Sequence, residues 1–205
     1  MDTVPIKDAA TVILLRGTGQ DTRILMGQRG ASAVFMPNKF VFPGGAVDAA
    51  DAKVPLAPLP PALDHALSLE SRLPARAIAA AALRELREET GLTIGTPLPD
   101  PSALRLFFRA VTPPGRPRRF DARFLIASAD HVVGDPDDFS TAEDELSQLQ
   151  WIKLTDARAF ELPFITRVVL GEVAQFARTG TWPKLVPFFR NDRPGTPIDV
   201  LSTQF

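Results

Sequence analysis

Apolar positions along the chain fall into blocks with two different periods. Residues 9–16 are an apolar, β-branched run, closed by Gly17-Thr18-Gly19-Gln20-Asp21 and followed by a second run at 23–29. This pattern predicts a β-hairpin. The glycines lead into a strand and not a helix, so they read as a turn and not as a phosphate loop. Residues 39–42 predict a short third strand ending in Pro43-Gly44-Gly45. Residues 48–74 are rich in Ala, Pro and Leu, with a short helix expected near 62–69. A longer helix is predicted over 75–90. Pro74 suits its first turn, the alanines at 77 and 79–82 favour it, and Gly91 is placed to cap it. Strands are predicted at 104–112, 119–128 and 149–154. Apolar residues at Ile165, Val168, Val169, Val173, Phe176 and Ala177 give an amphipathic helix over 164–178, with Gly180 as its stop. The last twenty residues are proline-rich and give no assignable element. The order β-β-β-α-β-β-β-α predicts a mixed sheet with helices on its faces, an α/β arrangement of the α+β type.

One face of the 75–90 helix is crowded with charge. Arg84-Glu85-Leu86-Arg87-Glu88-Glu89-Thr90-Gly91 sets three glutamates at i, i+3 and i+4, so all three project from one side. Like charges at this spacing weaken a helix by roughly 0.2–0.5 kcal/mol per pair. A hard divalent cation, which takes oxygen ligands, would offset that cost. Taken alone, Glu-x-x-Glu-Glu also fits a solvated charged face.

Composition narrows the chemistry. Lys+Arg is 23 and Asp+Glu is 24 in 205 residues, for a net charge of −1. That balance argues against a nucleic-acid polymer or a membrane surface as partner, but leaves room for a nucleotide-sized ligand. There is no cysteine, which excludes disulfides, thiolate metal sites and cysteine nucleophiles. The two histidines, His65 and His131, are too few for a histidine-rich metal centre. No apolar run reaches the ~18 residues of a membrane span, and the first residues lack a signal-peptide core. The expectation is a soluble, cytoplasmic protein. Most of the twenty prolines concentrate at 55–74, 97–117 and 183–197, which read as connectors.

The run Arg84-Glu85-Leu86-x-Glu88-Glu89-x-Gly91-Leu92 resembles the second half of the nudix box, the signature of a family of Mg²⁺- or Mn²⁺-dependent diphosphatases. Phe42-Pro43-Gly44-Gly45 resembles its lead-in. Such spaced residues should coincide by chance in ~1 of 10⁴–10⁵ chains, from average residue usage. The resemblance covers roughly residues 9–180. It implies an α/β/α sandwich around a mixed sheet, agreeing with the pattern above. It implies Glu85, Glu88 and Glu89 as ligands for one to three ions, with a further ligand from the backbone carbonyl near Gly45. Gly44 and Gly45 would lie against substrate, and Arg84 would orient a glutamate without touching substrate.

Two departures stand out. A glutamate is expected eight residues before Arg84, where this chain has Arg76. The glycines should lie about fourteen residues before Arg84, but Gly45 is 39 before it, so an insertion of about 25 residues lies within 48–75. Long insertions are thermodynamically cheap because loop cost grows logarithmically, and those bordering a site are commonly functional. Inserted boxes of this kind resemble those of nudix proteins similar to the mammalian peroxisomal coenzyme A diphosphatases. Pro117-Arg118-Arg119-Phe120-Asp121 and Glu145, six residues before Trp151, resemble the same subgroup. That likeness implies Glu145 as an extra metal ligand or general base, and as the replacement for the missing carboxylate. Its other reading is a solvated acidic loop. Arg118 and Arg119 are candidate phosphate clamps, of which at most one should face the site. Arg29 is a candidate phosphate contact, because it lies at the distance before Phe42-Pro43-Gly44-Gly45 where another coenzyme A diphosphatase family has a basic signature. Val34 and Asn38 depart from the rest of that signature. Phe35, Phe40 and Phe42 read as core before base-stacking groups.

The expected protein is one unit over 1–205, with an insertion at about 48–75 and a proline-rich tail at about 183–205. It would be a metal-dependent hydrolase of a small-molecule diphosphate, cleaving the phosphoanhydride between a nucleoside diphosphate and another group. Coenzyme A or acyl-coenzyme A is the leading substrate. ADP-ribose-like compounds and modified nucleotides are alternatives, as are a non-catalytic nudix-fold metabolite sensor and a protein-interaction scaffold. A homodimer is left open.

Overall fold

The computed structural model describes residues 4–192 and 198–202. Nine strands form one mixed sheet. In chain order they are β1 (Ile6–Arg16), β2 (Arg23–Arg29), β3 (Phe40–Val41), β4 (Gly44–Ala46), β5 (Arg105–Val111), β6 (Arg119–Ser128), β7 (Leu146–Lys153), β8 (Leu185–Phe189) and β9 (Ile198–Ser202). The helices are α1 (Pro61–Ser68), α2 (Ala75–Thr90) and α3 (Phe164–Thr179). The main path runs β3-β2-β1-β6-β5-β8-β9, with β4 paired to β1 and β7 to β2. β1 with β6 and β5 with β8 are parallel; the other pairs are antiparallel.

The sheet is covered on both faces, as the hydrophobic pattern requires. Alternate residues of a strand face opposite sides. Ala10, Val12 and Leu14 of β1 pack with α1 and α2, whereas Ile13 packs with α3. The alanines 79–82 of α2 are fully or almost fully buried, and their small size lets the helix axis lie close to β1. Gly91 ends α2 in the left-handed conformation, φ +77°, and its N–H donates to Arg87 O. That region costs little for glycine alone.

Several expectations shift in detail. β1 begins three residues earlier than the pattern suggested, the third strand shortens to Phe40–Val41, and the glycines expected to end it begin a further short strand, β4. β3 pairs with β2, then the chain crosses at Pro43 so that β4 pairs with β1. Half of the tail left unassigned is regular: β8 and β9 extend the sheet past β5. Residues 193–197 and 203–205 of the 183–205 tail lie outside the described residues. The 48–75 segment holds a 3₁₀ turn at Asp51–Lys53 and α1.

Buried arginines fasten the far end of that segment. Arg109 donates to Leu69 O at 2.8 Å and Glu70 O at 3.0 Å while forking onto Asp121 at 2.9 and 2.7 Å. Arg123 pairs with Asp8, and Arg190 with Glu70 and Asp199.

Leu86 is fully buried between the charged positions of α2. Leu86→Ala should lower the free energy of unfolding by about 2–5 kcal/mol, the range for a buried leucine truncation. Chemical denaturation checks this, and a loss below about 1 kcal/mol would contradict the packing described.

Candidate active site

The acidic face of α2 points at the crossing between β3 and β4. Gly44 N–H donates to Glu89 Oε2 at 2.7 Å. Gly45 is the point of closest approach: a Cβ there would stand 2.3 Å from Glu85 Oε1 and 2.6 Å from Oε2. Gly45 therefore lets backbone meet Glu85 where any side chain would intrude, while a Cβ at Gly44 would strike Ala10 O and Thr11 of β1. Glu89 is 2 % exposed, and its Oε1 is buried with no hydrogen-bond partner.

Arg84 organises the other two glutamates. Its Nη1 donates to Glu85 Oε1 at 2.8 Å and to Glu88 Oε2 at 2.9 Å. Its Nη2 donates to Ala46 O at 3.0 Å and to Asp51 Oδ2 at 3.1 Å, and its Nε to Asp51 Oδ1 at 2.8 Å. Guanidinium carries five N–H groups, and all five are engaged here, leaving none for a ligand.

Burial sets the electrostatics. Desolvation pushes the Glu89 carboxyl up from its ordinary 4.5 to about 8. The Gly44 N–H and the Arg29 charge oppose this, while Glu85 and Glu145 add to it. Glu85 is also raised by burial, against the pull of Arg84. Arg84 is raised, mainly by its bond to Asp51.

Arg29, at the end of β2, and Glu145, just before β7, belong to the same neighbourhood. Arg29 Nη2 donates to Glu145 Oε1 at 3.0 Å, and Arg29 Nε is buried without a partner. Arg118 and Arg119 are placed otherwise. Arg118 is exposed in the bend before β6, and Arg119 donates to Thr112 O at 3.0 Å and Asn191 O at 2.7 Å. Among the described residues neither bonds a glutamate of α2. Phe40 and Phe42 are buried in the core, and Phe35 meets the ring of Phe120 edge-on. A cleft of about 340 Å³ opens beside Glu88, lined also by Arg87, Thr93, Thr141 and Glu143.

Asp51 was not visible from the sequence. It lies 33 residues from Arg84 in an alanine-rich stretch, and its role follows only from the fold. Arg76, at the position of the expected glutamate, donates to Val54 O at 2.9 Å and Leu56 O at 3.4 Å.

The residues suit a hard divalent cation in kind. The donors are all oxygens, and the orphaned Oε1 of Glu89 is a desolvated acceptor with no N–H to satisfy it. Among the described residues no cluster of three or more His, Asp or Glu closes a metal site as it stands. Arg84 Nη1 and the Gly44 N–H engage the carboxylate ends instead.

Residues 71–170 match the sequence profile of the NUDIX domain. The fold of the chain is similar to that of a NUDIX hydrolase from Alicyclobacillus acidocaldarius, with TM-score 0.62 and 26% identity, over 87% of this chain and 96% of that one. It is also similar to the NUDIX domain of Shewanella oneidensis NrtR, solved with ADP ribose (TM-score 0.53, 13% identity, 83% and 88% covered), a likeness of fold alone. In sequence it is 29% identical over 177 residues to the Caenorhabditis elegans protein named "Putative nudix hydrolase 7". That match takes in 72% of this chain and 51% of the relative, so the chain spans about half the relative's length. Among the described residues no helix is long and apolar enough to cross a membrane.

The raised Glu89 carboxyl makes stability depend on pH. A carboxyl whose folded pKa lies above its unfolded value stabilises fully below the unfolded value, and the effect is lost as pH rises through the folded one. With EDTA present, wild-type unfolding free energy should therefore fall relative to Glu89→Gln between about pH 5 and pH 8, with a limiting slope of about 1.4 kcal/mol per pH unit. Denaturation at stepped pH checks this, and parallel profiles for the two proteins would contradict it.

Proposed function

We propose that this chain is a divalent-cation-dependent nudix diphosphatase. It cleaves the phosphoanhydride bond between a nucleoside diphosphate and another group. The observation that carries the reading is the buried, unpartnered Oε1 of Glu89, set among Glu85 and Glu88 and facing the glycine pair. Glu85, Glu88 and Glu89 hold Mg²⁺ or Mn²⁺, with Glu145 and the backbone carbonyl of Gly45 as additional oxygen donors. A divalent cation held by these residues would supply charge neutralisation for a diphosphate and Lewis-acid activation of water.

The chain's own groups divide the remaining work. Gly44 N–H fixes Glu89, and Arg84 fixes Glu85 and Glu88. The unpartnered Nε of Arg29 supports a contact to a phosphate oxygen. Water attacks one phosphorus, the bond from that phosphorus to the bridging oxygen breaks, and Glu145 or Glu85 accepts the proton from the water. Arg118, exposed in the bend before β6, serves the outer part of the substrate, and Arg119 holds the adjoining loop through Thr112 O and Asn191 O. The unit extends over 1–205, and a cytoplasmic location fits the composition.

Coenzyme A or acyl-coenzyme A is the leading substrate, supported by the 48–75 insertion, the 117–121 motif and Glu145. ADP-ribose-like compounds and modified nucleotides follow. A second reading, a sensor that binds without hydrolysis, is favoured by Arg76 standing where a carboxylate is expected.

A panel of these compounds with Mg²⁺ or Mn²⁺ tests the proposal. One class should be turned over, and Glu88→Gln should lose at least about a hundredfold, more than most outer-shell changes cost. Equal turnover by both proteins would remove the assigned site. Tight binding that survives EDTA, with no product, would favour the sensor.

A further inference from the structure

The insertion contributes a carboxylate that nothing in the nudix-box spacing anticipates. Asp51 is fully buried, in a single 3₁₀ turn flanked by alanines. Burying an ionised carboxylate costs several kcal/mol, in order of magnitude, unless donors replace water. Three donors do so: Arg84 Nε at 2.8 Å, Arg84 Nη2 at 3.1 Å and the Asp48 N–H at 2.7 Å. The first two form a fork along one edge of the guanidinium. A guanidinium is planar and rigid, so holding the Nε–Nη2 edge also fixes where Nη1 points. Nη1 is the atom that holds both Glu85 and Glu88.

The chain just beyond Asp51 is held from the same helix. Arg76 donates to Val54 O and Leu56 O, the first residues after the turn. The place where the resemblance expects a glutamate thus carries a cation that fastens the insertion, and the insertion returns a carboxylate to Arg84. At the turn's other side, Arg84 Nη2 reaches Ala46 O in β4, the strand that starts with the glycine pair.

We propose that Asp51 is a positioning residue of the site. It touches neither substrate nor cation. It acts through Arg84, setting the orientation of Glu85 and Glu88 before any ligand arrives. The proposal rests on the reading of those glutamates as cation ligands. The 48–75 insertion is then a structural component of the site as well as its border.

The test is Mn²⁺ affinity, measured by calorimetry without substrate, alongside thermal melts and steady-state kinetics. Asp51→Asn should melt cooperatively, bind Mn²⁺ about 10–100-fold more weakly, and lose kcat by a similar factor with KM changed less than about threefold. Its loss of Mn²⁺ affinity should not add to that of Arg84→Lys, because both act through one guanidinium. Wild-type Mn²⁺ affinity in folded Asp51→Asn, or strictly additive losses, would overturn the proposal. If Asp51→Asn does not fold, Asp51→Glu decides, since it keeps the charge but displaces it by a methylene. Weakened Mn²⁺ binding supports the positioning role, and unchanged binding overturns it. A wild-type protein that binds no Mn²⁺ overturns this proposal and the metal-dependent reading together, whereas failure of the variants alone leaves the latter standing.

Discussion

Two of the three glutamates, the strand that begins with the glycine pair and the buried Asp51 meet at one guanidinium. Arg84 sits at the head of the acidic run of α2, and its five N–H groups reach a strand carbonyl, the carboxylate of Asp51 and two glutamates of its own helix. A lysine, with a freely rotating point charge, could not impose this arrangement. The arrangement also explains how three carboxyl groups coexist within five residues of helix. Glu85 and Glu88 share the Nη1 of Arg84, and Glu89, its carboxyl pushed up to about 8 by burial, is withdrawn from water against the Gly44 N–H.

That third carboxylate is where the fold tolerates an energetic cost. Glu89 is buried, its Oε1 is unpartnered, and its proton is held up to about pH 8. Such a group weakens a fold unless a ligand compensates. The sheet around it is built to allow the approach. The chain changes partner strand at Pro43, which brings Gly45 against Glu85 of α2 and Gly44 against Ala10 and Thr11 of β1, each at a distance no Cβ would permit. The alanines 79–82 hold the helix down on β1 while the acidic turn projects at its end.

Local patterning carried most of the architecture. β2, α2 and β6 have the bounds their periodicity and end signals predict, because each has a strong period and a clear stop. β4 was invisible, since a change of partner across Pro43 depends on neighbours and not on local residues. β8 and β9 were hidden by a proline-rich composition, although Pro187 sits within β8. In the site, the glutamates and glycines were legible because their spacing is local. Asp51 with Arg84 and Arg29 with Glu145, 33 and 116 residues apart, were not legible as pairs. Arg119 shows the converse: its residue type suggested a phosphate clamp, yet in the fold it ties Thr112 O to Asn191 O.

Anomalous diffraction from crystals equilibrated with Mn²⁺ gives the most direct test that the acidic face of α2 is a cation site preorganised through Arg84. The expected result is an anomalous peak bounded by the carboxylates of Glu85, Glu88 and Glu89, with Arg84 still forked onto Asp51. A map with no peak there at millimolar Mn²⁺, or a peak accompanied by Arg84 detached from Asp51, would contradict it.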